Sequence, residues 1–251
     1  MSLINWSFTV TLLISCCNGI PLNCRDHYND GDRIGGVRTV DINHQKIEVF
    51  CDQETYGGGW TVIQQRVDGS EPFWNRTWDE YKNGFGALGK NSSFYAGNEL
   101  IHLLSKQYGQ FATLRIELYG DQTPRSPYAN DFYFQHYNFT LADEEDFYRM
   151  KIWLDWAIIV GNASAGWYDV TYSNNIAFST IDKISDPDKQ CQTKFRMGGW
   201  WTHYCGVASL NGEYTPEHGQ YGKGYGMYFT ILGLYIVHPV RVRMLVRDNR
   251  L

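Results

Sequence analysis

Short apolar runs alternate with glycine-rich turns along most of this chain, which is the pattern of an antiparallel sheet. The glycines at positions 57–59, for example, divide two such runs. In the last run, valine and methionine alternate with arginine or leucine. Together the pattern predicts strands at residues 47–50, 60–64, 113–118, 132–141, 147–153 and 240–246.

Two stretches show helix signals instead. Thr77 and Glu80 have the spacing of a capping box, so a short helix should begin there and end at Gly84. A second helix should span residues 98–106, because Leu100, Ile101, Leu103 and Leu104 lie along one face and Gly109 follows. The combination predicts an α+β domain built around an antiparallel sheet.

Residues 173–233 have little regular period and are rich in glycine, asparagine, aspartate, tyrosine and tryptophan. Long irregular loops of this kind carry function more often than core packing, so we expect the ligand-binding part of the domain here. No heptad run or Gly-X-Y tract supplies an oligomerising stalk, and the oligomeric state is left open.

The composition excludes several classes of protein. Of 251 residues, 43% are hydrophobic and 20% charged, whereas a disordered chain has the reverse balance. The formal net charge of -5 argues against a nucleic-acid partner, because such a protein needs a basic face. The same charge gives no reason to expect an anionic membrane surface as partner.

The N-terminus has the pattern of a signal peptide. Residues 8–16 are apolar, and the small or polar residues that follow, up to Gly19, suit a cleavage site. The run is shorter than the roughly 20 apolar residues that a membrane span needs. We therefore expect a signal peptide at 1–19, a short segment at 20–23, one domain at 24–251, and a secreted product without a membrane span.

The cysteines suit an oxidising compartment. Two of the six, Cys16 and Cys17, lie in the expected signal peptide and leave an even number. No CxxC spacing or HxxxH motif favours zinc, so disulfides are the better interpretation. Three pairings are possible, and the local one would close two short loops, each stabilising by about 3 kcal/mol. The remaining cysteines are Cys24, Cys51, Cys191 and Cys205.

Four N-glycosylation sequons follow the expected signal peptide and support the same compartment. Each triplet alone is a weak signal, but four in a chain with a signal peptide make a glycoprotein the expectation. They begin at Asn75, Asn91, Asn138 and Asn162.

A longer motif identifies a family. Residues 57–66 read GGGWTVIQQR, and the run 81–86 (YKNGFG), the run 178–180 (FST), the run 199–201 (GWW) and the run 210–214 (LNGEY) follow in order. This set resembles the fibrinogen C-terminal domain family, which includes ficolin, tachylectin and angiopoietin-like members, over residues 24–251. The resemblance implies that family's α+β fold, with a loop-rich last subregion that binds ligand. It also implies disulfides Cys24–Cys51 and Cys191–Cys205.

The family commonly binds Ca²⁺ through an acidic loop just before its third cysteine. Here the candidate ligands are Asp182, Asp186 and Asp188, because Ca²⁺ prefers several oxygen ligands. The loop is one residue short, and Ile184 stands where the family has its central aspartate. The alternative is that these are solvated turn carboxylates, and any calcium affinity should be weak.

Lectin members of the family bind acetyl groups in a shallow aromatic pocket. Two residues depart from that pattern, since Gly206 replaces a histidine and Gln192 replaces an alanine. A concave aromatic pocket remains an expectation. The residues that align with the pocket or compensate for those changes are Phe195, His203, Tyr204, Tyr221 and Gly222.

Fibrinogen members suggest a different ligand, a peptide amino terminus facing carboxylates, for which Glu213 and Glu217 are candidates. No catalytic motif is present, and the acidic run at residues 143–146 is better explained as a solvated turn, so we expect no enzyme.

The sequence favours a secreted recognition module. The leading hypothesis is lectin-like binding of glycan or acetylated groups, as in innate defence. The alternative is a protein-binding signalling or adhesion ligand for a receptor or matrix partner.

Overall fold

The computed structural model describes residues 19–157, 159–164, 168–215, 220–221 and 224–248. Residues 1–18, which hold nearly all of the expected signal peptide, lie outside these ranges. Among the described residues, none forms a helix that is both long and apolar enough to cross a membrane.

Seven antiparallel strands form the main path of the large sheet, in the order β1-β2-β3-β12-β6-β7-β8. Two short strands extend it beside β3. The strands are β1 (Gly36–Ile42), β2 (Gln45–Asp52), β3 (Trp60–Arg66), β4 (Phe85–Gly86), β5 (Phe94–Tyr95), β6 (Ala112–Tyr119), β7 (Phe132–Leu141), β8 (Met150–Trp153) and β12 (Arg241–Arg247).

A second, three-stranded antiparallel sheet lies in the loop-rich part of the chain. Its order is β11-β10-β9, and the strands are β9 (Ala208–Ser209), β10 (Tyr228–Ile231) and β11 (Tyr235–Val237). The helices are short. They are α1 (Cys24–Asn29), α2 (Trp78–Asn83), α3 (Asn98–Gln107) and α4 (Gln190–Thr193), with 3-10 turns at Thr55–Gly57 and Val170–Ser173.

Both predicted helices are confirmed. The Thr77 hydroxyl accepts the backbone N–H of Glu80, and the Glu80 carboxylate accepts that of Thr77, so the capping box closes as predicted. Helix α3 buries Ile101 and Leu104 against the large sheet. The sequence pattern missed α1, β1 and the small sheet.

The predicted strand at 147–153 is partly wrong, because β8 begins only at Met150. Phe147 and Tyr148 have φ angles of 52° and 45°, which no strand allows. The Tyr148 N–H instead bonds the carbonyl of Asp143 at 2.9 Å, and the acidic run forms the turn before β8. The expected solvated turn is therefore partly packed, since Glu144 accepts the indole N–H of Trp78 at 2.7 Å.

The main core lies between one face of the large sheet, helices α2 and α3, and the loop-rich part. Trp200 and Trp201 are almost fully buried, and the Trp201 indole donates to the carbonyl of Tyr148 at 2.7 Å. A smaller cluster on the opposite face of the sheet includes Trp60 and Leu245. The tryptophans of the family motif thus build the scaffold.

Candidate functional site

The second disulfide frames the loop-rich part. Cys191 and Cys205 are joined with a Cα–Cα distance of 5.1 Å, and Cys24 and Cys51 with 5.4 Å, so both bonds match the pairing that the resemblance implies. Cys191 packs with Met197 beneath the small sheet. The disulfide therefore connects α4 to the turn that precedes β9.

Two polar side chains of β3 attach this region to the large sheet. Gln64 donates to the carbonyl of Leu210 at 2.9 Å and to the amide oxygen of Asn211 at 3.2 Å. Arg66 is fully buried and donates to the carbonyl of Gly212 at 3.0 Å. Burial lowers the pKa of Arg66 to about 10. Sequence reasoning found the motif that contains these residues but not their role as anchors.

The structure places Asp182 away from any shared metal site. Its Oδ1 accepts the backbone N–H of Trp78 at 2.9 Å and the hydroxyl of Thr180 at 2.7 Å. The carboxylate thus lies at the N-terminus of α2. It accepts a hydrogen bond from a backbone N–H that has no partner within the helix, and its negative charge interacts favourably with the helix dipole.

Asp186 and Asp188 shape the turn before the third cysteine. Asp186 Oδ1 accepts the N–H groups of Asp188 and Tyr204 at 2.8 and 3.0 Å, and Asp188 Oδ1 accepts that of Gln190 at 3.0 Å. Asp186 Oδ2 is buried and has no hydrogen-bond partner within the described residues. It is the carboxylate oxygen of the loop that most needs a cation or water.

The ligand atoms of the three aspartates do not all lie within 4.8 Å of one another. Among the described residues, one group of three possible metal-binding side chains has its ligand atoms within 4.8 Å, and it comprises Asp188, Cys191 and Cys205. The two sulfurs of that group are joined in a disulfide and are not free thiolates. Calcium binding stays a prediction.

The residues expected to form the acetyl pocket divide into two groups. Phe195 packs with buried Tyr228, and the ring of Tyr221 lies edge-on to His238 at 5.4 Å. His238 also lies 6.4 Å from Tyr228, which links the first two residues to one buried centre. Gly222 lies outside the described residues.

His203 and Tyr204 form the second group and are exposed. Their rings meet edge-on at 4.8 Å. His203 lines a shallow cleft with Ser185, Pro187 and Thr202, on the side of the acidic loop. The cleft contains neither Phe195 nor Tyr221, and the acetyl pocket stays a prediction.

The candidate acid for a peptide amine is already paired. Glu213 Oε1 accepts from Arg196 at 2.6 Å, and its side chain is largely buried. The second candidate, Glu217, lies outside the described residues. The second carboxylate oxygen of Glu213, Oε2, is buried and has no hydrogen-bond partner among the described residues.

The sequons differ in access. Asn75 and Asn91 are exposed, whereas Asn138 is half-buried in β7. The Asn162 side chain is exposed but bonds the backbone of β7, accepting from the N–H of Phe134 at 2.8 Å. Glycosylation at each remains a prediction.

Sequence reasoning missed an exposed group of apolar side chains beside the second disulfide. Its members are between 39% and 74% exposed, and four of the six are tyrosines. We call this group the aromatic strip; it comprises Tyr168, Tyr172, Tyr204, Leu232, Leu234 and Tyr235.

Contacts bring the three segments that carry the strip close together. The rings of Tyr168 and Tyr172 lie 6.0 Å apart. A β-carbon placed on Gly206, next to the disulfide and two residues after Tyr204, would lie 3.8 Å from the Tyr172 ring. One placed on Gly233, between the two leucines, would lie 3.3 Å from Tyr168 Cβ. The only available sequence signal was tyrosine-rich loops near the disulfide.

Comparison with known proteins agrees with this fold. Residues 20–231 match the family described as "Fibrinogen beta and gamma chains, C-terminal globular domain". Human angiopoietin-related protein 7 is 35% identical over 232 residues, which cover 90% of this chain. The chain spans 56–62% of the length of the human, bovine and mouse proteins of that name.

Solved structures give the same result. The fibrinogen-like globe domain of human ANGPTL2 is similar with a TM-score of 0.76 and 28% identity, covering 92% of this chain and 100% of that one. A lamprey fibrin D-dimer complexed with the peptide Gly-His-Arg-Pro-amide gives 0.71 and 29%, covering 92% and 74%. The chain belongs to the fibrinogen C-terminal globular domain family.

Proposed function

We propose that this chain is a secreted, non-enzymatic binding module for a receptor or matrix protein, and that the aromatic strip is its contact surface. The carrying observation is the strip itself, because an exposed group of adjacent tyrosines and leucines is costly in water. Tyrosines at the centre of such surfaces supply much of the affinity of protein interfaces.

The relatives favour this alternative over a lectin. The similar human, bovine and mouse proteins are named angiopoietin-related, and the fibrin structure is complexed with a peptide. A peptide ligand in a relative of the same fold supports recognition of polypeptide by this scaffold.

The site geometry gives the lectin interpretation less support. Phe195 packs on a buried cluster, the ring of Tyr221 lies edge-on to His238, and the cleft beside His203 contains neither of them. A small acetylated sugar needs a few convergent groups around one hollow. A protein partner needs a broad contact surface, of roughly 1,600 Å² in total over both partners. The strip would form one part of that surface.

The test measures binding of the purified, disulfide-intact protein to cultured cells. Leu234→Ser and Tyr172→Ser remove apolar area from the strip. Ile34→Ser and Tyr119→Ser are matched controls, because Ile34 is 72% exposed against 74% for Leu234, and Tyr119 is 42% exposed against 47% for Tyr172. Each binding reaction is repeated with free N-acetylated sugars and after protease treatment of the cells.

We expect binding that is lost after protease treatment, insensitive to the sugars, and reduced roughly tenfold or more by the strip substitutions but not by the controls. Binding that survives the protease and is released by N-acetylated sugar would favour the lectin. Equal loss in strip and control variants would contradict the assignment of the surface.

A further inference from the structure

Two arginines hold the glycine turn beside the first disulfide. Arg25 directly follows Cys24, and its Nη1 donates to the carbonyl of Gly57 at 3.5 Å. Arg247, the last residue of β12, donates through Nη1 to the carbonyls of Tyr56 and Gly58 at 3.0 and 3.1 Å. The two guanidinium groups therefore converge on one four-residue turn.

Glycine is required for this approach. Gly58 and Gly59 have φ angles of 66° and 74°, and a β-carbon on Gly59 would lie 2.7 Å from Cδ of Arg25. On Gly58 it would lie 2.3 Å from the ring of Tyr28. The run of glycines thus brings the arginine side chains against the backbone.

The nearby acids neutralise other arginines. Glu117 pairs with Arg115 at 2.6 Å and with Arg243 at 2.6 Å, and Asp52 pairs with Arg243 at 2.7 Å. Arg115 also donates to Nε2 of His136 at 2.9 Å, which requires that imidazole to be neutral. The acids of this face are therefore committed to Arg115 and Arg243.

Arg25 and Arg247 are left without a counter-ion. Within the part of the chain that the structure describes, neither has a carboxylate oxygen within 4.0 Å. Burial and the positive charges of Arg25 and Arg115 hold the pKa of Arg247 below its usual value. An anion at this place would relieve the repulsion.

The turn that the two arginines hold also carries an exposed aromatic ring, that of Tyr56, whose carbonyl accepts from Arg247. Tyr56 is 54% exposed and has φ 43° and ψ 51°, a conformation that non-glycine residues adopt at a cost. Its ring lies 5.4 Å from Cζ of Arg115 and 5.0 Å from the ring of His136. Such a ring offers an apolar face to the carbon skeleton of a ligand.

We propose that Arg25, Arg247 and Tyr56 form a site for a sulfate group of a sulfated polysaccharide. Guanidinium groups bind tetrahedral oxyanions through paired charged hydrogen bonds, and each of these arginines keeps N–H donors that the turn does not use. The tyrosine ring contacts the sugar to which the sulfate is attached. The site is separate from the aromatic strip and does not depend on the protein-binding function.

The net charge of the chain makes the site testable. At a formal -5, the protein as a whole repels a polyanion, so any binding has to come from a local cationic group. Heparin is the probe, and chemically desulfated heparin is the control polysaccharide that lacks the sulfate groups. The variants are Arg25→Gln, Arg247→Gln and the double variant. Arg241→Gln is the control, because Arg241 is an exposed arginine at the other end of the same strand.

We expect heparin to bind in low salt and desulfated heparin not to bind. The double variant should weaken binding at least about tenfold and Arg25→Gln about threefold, whereas Arg241→Gln should change it less than about twofold. Arg247→Lys keeps the charge but not the paired geometry, so an intermediate loss is expected. Thermal unfolding of each variant identifies misfolded samples, and Arg25→Gln disturbs the turn least.

Absence of heparin binding by the native protein would overturn the proposal. So would equal weakening by Arg241→Gln and the double variant, since that indicates unspecific attraction. Inorganic sulfate and phosphate are compared as competitors at equal ionic strength. Phosphate competing more strongly than sulfate would assign the site to a phosphorylated ligand and would also overturn it. None of these results changes the expectation for the aromatic strip.

Discussion

The two disulfides stabilise regions of different character. Cys24 and Cys51 are fully buried, and their bond joins α1 to β2 inside the large sheet. Cys205 is half-buried, has a φ of 69°, and belongs to turns around a small sheet. The first region carries two half-buried arginines without a carboxylate partner among the described residues, and the second exposes tyrosines and leucines. A single domain can thus present two chemically distinct surfaces.

Removing the disulfides one at a time should give the largest difference in the free energy of unfolding between these two regions. The bonds close loops with sequence separations of 27 and 14 residues. Chain entropy then predicts losses of about 3.6 kcal/mol for Cys24→Ala with Cys51→Ala and about 3.0 kcal/mol for Cys191→Ala with Cys205→Ala. Guanidinium unfolding measures both. A larger loss for the second pair would contradict the view that the first region is the frame.

Acid should destabilise both regions through buried histidines. Burial, then the charges of Arg115 and Arg247, lower the pKa of His136 from 6.5 to about 4. Between these values the unfolded chain binds more protons, so stability falls as pH drops from about 6.5 to about 4, by at most about 3 kcal/mol. Burial also lowers the pKa of His238 beside the small sheet.

His136→Gln should flatten this pH dependence more than His238→Gln does. Urea unfolding at a series of pH values between 7 and 4 measures the slope for each variant. An unchanged slope in His136→Gln would show that His136 is not held neutral in the folded protein.

Arg66→Met should loosen the attachment between the regions. The substitution removes a buried charge but leaves the carbonyl of Gly212 without its donor, for a net loss of about 2 kcal/mol. Hydrogen exchange should then rise around residues 210–212 and remain unchanged in β1 and β2. A rise in hydrogen exchange that is uniform along the chain would mean that the two regions unfold as one unit.

Calcium should have the smallest effect. Asp186 Oδ2 is the one uncommitted buried oxygen of the predicted loop, so affinity no better than about 10⁻³ M is expected. Calcium at about 10 mM then stabilises by no more than about 1.4 kcal/mol. Calorimetric titration of the native protein and Asp186→Asn measures this, and micromolar affinity would contradict it.

Local sequence signals predicted the elements that depend on near neighbours. The capping box of α2 needs only Thr77 and Glu80, and β7 coincides with the predicted run 132–141. Strand β1 was missed because only Val40 and Ile42 of its seven residues are buried, and its position depends on pairing with β2. The turn at Phe147 depends on a backbone bond from Phe178, far along the chain.

The geometry of the candidate sites depends even more on contacts between residues that are far apart in the sequence. Asp182 resembles a metal ligand in its own segment, yet its partner is the N–H of Trp78, 104 positions away. The aromatic strip combines residues from three separate loops. Family resemblance predicted the scaffold and its disulfides, but not which side chains of the loops face solvent.

The position of β12 has a consequence for synthesis in the cell. This strand, near the end of the chain, lies in the middle of the large sheet between β3 and β6. Translation adds about 5–20 residues per second, so β3 and β6 emerge well before the strand that separates them. During that interval both present open edges that could pair with other chains. The large sheet can therefore close only after β12 has been synthesised, and the edges of β3 and β6 that face it stay unpaired until then.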